Sequence, residues 1–300
     1  MKVAVTGASG LIGSRLTRSL EADGHRVTRL VRRQAAGEGE VRWDPAAGVI
    51  DGAGLEGHDA VVHLAGAGLG DHRWTNAYKA KVLDSRVAGT SLLAETLVSL
   101  DRPPAVLASG SAVGYYGDRG DEELTERSAP GTGFLSEVVQ AWEAAAAPAR
   151  RAGVRVALLR SGIVQAPEGG ALQRLLLPFR LGVGGRLGSG RQWLSWVAID
   201  DEVGAIRHVL TDRSLDGPVN LTAPNPVTNA EYTRTLGRVL RRPTVLPTPT
   251  PALRLLLGRE LVSEMLLGGQ RVLPAVLQAS GYRFAYRTLE DALAALLSRR

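Results

Sequence analysis

The chain has 300 residues, with 36 lysines and arginines against 30 acidic residues and no cysteine; that is room for one large domain, or one domain with a smaller appendage. The missing cysteines exclude disulfide frameworks, cysteine zinc sites and thiol nucleophiles, and they fit a reducing cytoplasm. The formal charge of +6 rests almost wholly on scattered arginines, without the basic run and interleaved aromatics of a nucleic-acid surface, so no nucleic-acid partner is expected.

The chain enters its first strand at once, with no leader-like segment, and a cytoplasmic location is expected. Its most apolar stretches, 175–181 and 253–257, are far short of the ~20 residues needed to cross a bilayer, so no membrane partner is expected. His25, His58, His63, His72 and His208 never take the close spacing of a helical metal pair, so no metal is expected.

Apolar, strand-like runs at 2–6, 26–31, 60–64, 105–109 and 154–159 alternate with helical patterns. This alternation predicts an α/β fold, a Rossmann-type doubly wound parallel sheet with helices on both faces. After Gly162 the texture changes to a glycine-rich stretch and then to short elements broken by Pro218, Pro224, Pro226, Pro243, Pro247, Pro249 and Pro251. Residues 1–162 are therefore read as a dinucleotide-binding core. Residues 163–300 complete the sheet and form a smaller substrate-capping lobe packed on it, ending in a helix over 288–297.

The first strand leads into Gly7, Ala8, Ser9, Gly10, Leu11, Ile12 and Gly13, and helical periodicity follows from Ser14. Gly7 permits the tight turn, Gly10 lets the backbone approach a pyrophosphate, and Gly13 lets helix and strand pack closely; the helix N-terminus supplies N–H donors. The second strand ends in Arg32 and Arg33 where an acidic residue would select an unphosphorylated ribose. Guanidinium suits a 2′-phosphate by charge and fork geometry, which points to NADP(H). Asp44, after Trp43, is either an acceptor for the adenine amino group or a turn former. Leu64, Ala65 and Gly66 end the next strand with small residues over which a nucleotide can pass. Ser109 and Arg160, at the carboxyl ends of later strands, are assigned to the same site.

TGASGLIG at 6–13, VVHLAG at 61–66 and SGSAVGYYG at 109–117 together resemble the extended short-chain dehydrogenase/reductase superfamily. More narrowly, the segments 73–90, 184–196, 217–229 and 268–284 make nearly the whole chain similar to its atypical epimerase-like family, within the NAD-dependent epimerase/dehydratase superfamily. The resemblance implies a Ser, a Tyr and a Lys four residues after that Tyr. Ser111 fills the first role, but 134–138 read Phe-Leu-Ser-Glu-Val, with neither phenol nor lysine.

The proton-transfer group is therefore sought in Tyr115 or Tyr116, in Lys79 or Lys81, or in Glu137. Ser111, Tyr115 and Lys79 form the preferred set. A phenol with pKa near ~10 needs a nearby cation to act as a base at neutral pH, and Lys79 or Arg119 is available in the sequence. Gln192, Trp193 and Trp196 read as the polar group and aromatic wall of a substrate pocket. Ala198 stands where relatives would carry a histidine. Two functions follow: an NADP(H)-dependent oxidoreductase or nucleotide-sugar-epimerase-like enzyme acting on a small carbonyl or carbinol, or an NADP(H) sensor without catalysis. The substrate and the oligomeric state are not legible.

Overall fold

The computed structural model describes residues 1–298, so Arg299 and Arg300 of the 163–300 region lie outside the described residues. Eight strands form the central sheet: β1 (Lys2–Thr6), β2 (Arg26–Val31), β3 (Glu40–Asp44), β4 (Val49–Ile50), β5 (Ala60–His63), β6 (Val106–Ala112), β7 (Arg155–Ser161) and β8 (Gly217–Leu221). Their spatial order is β8-β7-β6-β5-β1-β2-β3-β4. All pairings are parallel except β3 with β4. The chain travels outward from β1 in one direction and then from β5 in the other. The strand order therefore switches between β1 and β5, and ligands of open α/β sheets bind beside such a switch, at the carboxyl ends of the strands.

The period of two explains the layers. Val3 and Val5 enter one core and Ala4 the other; Ala60 and Val62 separate in the same way from Val61, and Val106 and Ala108 from Leu107. A strand buried on both faces reads as a continuous apolar run. Helix α1 (Leu11–Ala22) puts Leu16 and Leu20 into the first core, with Ile206 and Val209 of the helix Ile199–Thr211. Helix α2 (Asn76–Val98) puts Leu93, Ala94 and Leu97 into the second. Helix α3 (Phe134–Ala145) lies on the same side and packs against α2.

Two strands outrun their apolar signatures. β6 continues through Ser109, Gly110, Ser111 and Ala112, and β7 through Arg160 and Ser161, because the two pair residue by residue to Ala112↔Ser161. Ladder hydrogen bonds carry both strands into polar sequence and bring functional side chains into register. Beyond residue 162 the chain adds β8 and two small strand pairs, Ile163–Gln165 with Trp196–Ala198 and Trp193–Leu194 with Val227–Thr228, and Arg271–Val272 reaches back to pair with Glu123–Leu124. The closing helix is Leu289–Ser298. Among the described residues, no helix is long and apolar enough to cross a membrane.

Candidate functional site

The glycine turn connects β1 to α1 at the switch point. Gly7 sits at φ +65°, and a Cβ there would lie 2.9 Å from the Leu64 carbonyl carbon. A Cβ on Gly13 would overlap the Gly7 carbonyl oxygen. Gly10 differs, because a Cβ there would meet only the Gly7 oxygen, at 3.2 Å. Gly7 and Gly13 are thus required by the fold itself, whereas bareness at Gly10 chiefly serves whatever approaches from outside. Gly10 caps α1 without a side-chain hydrogen bond, and no acid occupies the first turn. The first N–H groups of α1, at Leu11 and Ile12, stay available to an anion, beside exposed Ser9.

Thr6 and His63 face each other across β1 and β5. The Thr6 hydroxyl oxygen accepts from the N–H groups of Leu64 and Ala65 at 3.1 and 3.2 Å, so its proton goes to His63 Nδ1 at 2.7 Å. His63 Nε2 then donates to Thr90 at 3.0 Å. Burial, with the Arg86 charge adding to it, pushes this imidazole down to about 4. It is a neutral strut that fixes the floor formed by Leu64, Ala65 and Gly66.

At the end of β2 both arginines are exposed, but they are not equivalent. Arg33 makes a two-pronged pair with Glu40, at 2.7 and 2.5 Å, whereas Arg32 has no ion-pair partner among the described residues. Asp44 is the last residue of β3, and its carboxylate receives only a long contact from the Ala47 N–H, at 3.4 Å.

Register builds the second half of the site. Ser111, Arg160 and Asn220 are direct partners across β6, β7 and β8. Their side chains therefore share one face, the face covered by α3. Glu143 of α3 accepts the Ser111 hydroxyl at 2.6 Å and two N–H groups of Arg160 at 2.8 Å each. Arg160 also donates to the Tyr116 hydroxyl at 3.0 Å, which donates to Asn220 Oδ1 at 2.7 Å. The Arg160 guanidinium carbon lies 3.5 Å from the centroid of the Tyr115 ring. Burial pushes the Tyr116 phenol up to about 12, against the opposing Arg160 charge, so Tyr116 is a neutral structural donor.

The structure thus joins Ser111 and Tyr115 through Glu143 and Arg160, and it corrects several expectations. Arg160, expected at the cofactor, is 3% exposed and held by Glu143 and Tyr116, with Ser109 fully buried nearby on β6. Lys79 is drawn away to Glu260 at 2.5 Å and stands over the Phe134 ring. Arg119 is held by Glu122. The cation beside Tyr115 is Arg160 instead.

Glu137 is exposed. Trp196 forms no open wall: it is fully buried, with its indole N–H donated to the Asn225 carbonyl. The Gln192 amide is spent on the carbonyls of Leu187 and Leu266. Trp193 is half-buried, donates to Asp121 and stacks under Arg271. A deep core ring cannot meet a ligand without repacking, and the Gln192 amide has both donors committed to the backbone.

Glu143 went unseen in the sequence. Its signal was present: Ser136, Gln140 and Glu143 follow at i, i+4 and i+7 along a mostly apolar helix whose other polar residue is the exposed Glu137, which places the three on one face. The Gln140 amide donates to Ser136, and the Ser136 hydroxyl donates to the Tyr115 carbonyl. A neutral Ser-Gln pair at i, i+4 thus occupies the stretch where the superfamily carries Tyr and Lys.

Two surface cavities lie elsewhere. One of about 280 Å³ is lined by Met1, His25 and Arg207, and one of about 410 Å³ by His72, Arg73 and Lys81; neither is lined by the turn residues or by Ser111.

The model of the NAD dependent epimerase/dehydratase family matches residues 3–221, and that of a domain of unknown function, DUF1731, matches 248–296. An epimerase family protein of Mycobacterium bovis is 45% identical over 97% of this chain and 96% of its own length. The human epimerase family protein SDR39U1 is 38% identical over 98% of both. A crystal structure of human SDR39U1 (isoform 2) with NADPH superposes with a TM-score of 0.91 at 35% identity, covering 100% of each chain. A nucleoside-diphosphate sugar epimerase from Corynebacterium glutamicum gives a TM-score of 0.83 at 37% identity, over 100% of this chain and 59% of that one.

Proposed function

The chain belongs to the NAD dependent epimerase/dehydratase family, and we propose that it is an NADP(H)-dependent oxidoreductase or epimerase acting on a small carbinol or carbonyl. The observation that carries this reading is the uncapped N-terminus of α1, opened by Gly10 at the switch point of the sheet. The human relative's crystallisation with NADPH supports the choice of cofactor.

Gly7, Ser9, Gly10, Leu11, Ile12 and Gly13 would hold the pyrophosphate, Arg32 and Arg33 the 2′-phosphate, Asp44 the adenine edge, and Leu64, Ala65 and Gly66 the floor. Bound there, the nicotinamide supplies a hydride donor or acceptor. The Ser111 proton is committed to Glu143, so the hydroxyl oxygen is free to accept from a carbinol O–H and orient it. Tyr115, stacked on Arg160, is the phenol available for proton transfer. Residues 163–300 would complete the sheet through β8 and supply the substrate-capping lobe. Its clasp consists of Lys79 with Glu260, Arg174 with Asp71 and the Gly70 carbonyl, and Glu264 receiving the Phe134 and Leu135 N–H groups at 3.0 and 2.9 Å.

Incubating the NADP-loaded protein with a panel of small alcohols and nucleotide sugars, while reading the reduced-nicotinamide absorbance and product stereochemistry, tests the assignment. Turnover of a carbinol is expected. Tight NADPH binding with no chemistry across the panel would favour a sensor instead.

A further inference from the structure

The two most apolar stretches of the chain, 175–181 and 253–257, have no part in the site described above, and both come to the surface. Seven of the ten large apolar side chains exposed among the described residues fall within 177–183 and 245–256. Leu177 is on the helix Gly170–Arg180, with Leu181 and Val183 just past its end. Val245 and Leu246 precede the helix Thr250–Leu257, which carries Leu255 and Leu256. Val245 and Leu255 are 85% and 80% exposed, whereas Met1, Val49 and Val98, elsewhere on the surface, reach at most 46%. Single exposed apolar residues are ordinary, but a group this exposed marks a surface that meets something other than water.

The backbone brings these stretches together. Thr248 donates its N–H to the Arg186 carbonyl at 2.9 Å and its hydroxyl to the Gly185 carbonyl at 3.1 Å. A Cβ on Gly185 would overlap the Leu246 carbonyl oxygen, and one on Gly182 would lie 3.7 Å from the Pro243 ring. The segment holding Leu181 and Val183 therefore runs beside the one holding Val245 and Leu246. The helix Thr250–Leu257 follows at once and fully buries none of its residues. Its exposed Ala252, Leu255 and Leu256 fall at i, i+3 and i+4, on one face. Eight helical residues rise only about 12 Å, so that face stays close to the rest.

The charge around these residues has one sign. Residues 169–199 hold four arginines and residues 232–259 hold six, and neither stretch contains a lysine or an acid. Arg180, Arg241, Arg242 and Arg254 are exposed without an ion-pair partner among the described residues. Arg241 ends the helix Asn229–Leu240 in left-handed backbone, at φ +55°, where glycine would cost less. Apolar tips among unpaired arginines complement a surface that is anionic above and apolar beneath. A nucleic acid would leave the apolar tips in water, and a second copy of the chain would bring two arginine-rich faces together.

We propose that this face docks the protein on the surface of an anionic lipid bilayer, with Leu181, Val245 and Leu255 entering the boundary between headgroups and acyl chains and the arginines meeting lipid phosphates. Stretches too short to cross a bilayer can still lie in its surface, so the contact needs no spanning helix. The surface is separate from the α1 N-terminus and from Ser111, and the proposal does not depend on the cofactor.

The test sediments the full chain with phosphatidylcholine vesicles, with and without about 30% phosphatidylglycerol, at about 0.15 M salt. Wild type should bind the anionic vesicles at least about tenfold more tightly than the neutral ones. Val245→Ser combined with Leu255→Ser should weaken binding to the anionic vesicles about tenfold, and Arg180→Gln combined with Arg242→Gln should do the same. All four side chains are exposed, so both double variants should keep the wild-type circular dichroism.

No sedimentation of wild type with either vesicle overturns the proposal. Wild-type affinity in either folded double variant also overturns it. So does a wild-type dimer in sedimentation velocity that Val245→Ser with Leu255→Ser dissociates, because a second copy would then cover the face.

Discussion

Glu143 grips Arg160 through both carboxylate oxygens, at 2.8 Å each, with the two side chains only 9% and 3% exposed. Burial alone would depress the guanidinium, but the hydrogen bonds and charge of Glu143, with Tyr116, raise it above its ordinary value. Glu143→Gln strands a buried cation and should destabilise the fold by about 3–5 kcal/mol. Adding Arg160→Met should recover much of that loss. Urea denaturation of the two variants checks this, and a cost below about 1 kcal/mol for Glu143→Gln would show that the pair does not hold the cluster together.

Gly10 and Gly13 should fail in different ways. A valine at 13 collides with the Gly7 carbonyl, so Gly13→Val should yield little folded protein. At 10 the added side chain meets one oxygen at 3.2 Å and otherwise occupies the approach to the α1 N-terminus. Gly10→Val should keep the wild-type circular dichroism and lose NADPH binding by calorimetry. Retained affinity would mean that the turn is only a packing device.

NADPH should bind more tightly than NADH, and the preference should rest mainly on Arg32. A charge-assisted contact to the 2′-phosphate contributes about 1.5–3 kcal/mol, roughly ten- to a hundredfold in affinity. Arg33 already shares its fork with Glu40, so Arg33→Ala should cost less than Arg32→Ala. Equal affinities for the two cofactors in wild type would remove the assignment.

Ser111→Ala and Tyr115→Phe should each lower turnover by about 10² to 10⁴, the usual loss for groups that orient or move a proton. Lys79→Met breaks the Glu260 clasp and should raise KM while leaving kcat within about threefold. Wild-type turnover in both Ser111→Ala and Tyr115→Phe would move the chemistry off β6 and the turn that follows it, with Glu137 of α3 the next residue to test.

The first half of the site was legible because local sequence encodes it. Strand, glycine turn and helix lie within residues 2–22, and each glycine acts on neighbours in that stretch or on the adjacent β5. The central strands were legible for the same reason: a run buried on both faces is continuously apolar. What could not be read is made by register and crossing. Arg160 looked like a ligand-facing cation until Ser111↔Arg160 pairing set it beneath Glu143, 17 residues away in sequence. Trp196 and Gln192 looked like pocket residues because nothing local tells a tryptophan in the core from one on a wall. Arg86 sits in a helix whose pattern gives no sign that its neighbours would be Gly66 and Trp142.

Glu202 gives the protein an alkaline weakness. It is fully buried at the start of the helix Ile199–Thr211; Oε1 accepts from Ser161 at 2.5 Å, and Oε2 has no partner. Burial pushes its pKa from 4.5 to about 8, with the Ser161 hydrogen bond opposing. The folded state therefore holds a proton that the unfolded chain releases from about pH 4.5 upward. Stability from this group is fully present below 4.5 and is lost as pH rises to about 8, with a slope of up to ~1.4 kcal/mol per pH unit. His63 acts in the opposite sense: its pKa falls from 6.5 to about 4, so its contribution is present above 6.5 and lost as pH falls through that range. The two slopes oppose each other between 4.5 and 6.5, which leaves pH 6.5 to 8 as the window where Glu202 acts without His63. Wild type should lose stability steadily across that window in urea denaturation, whereas Glu202→Gln, which cannot ionise, should be nearly flat. Equal slopes for the two proteins would show that Glu202 does not retain its proton in the folded state.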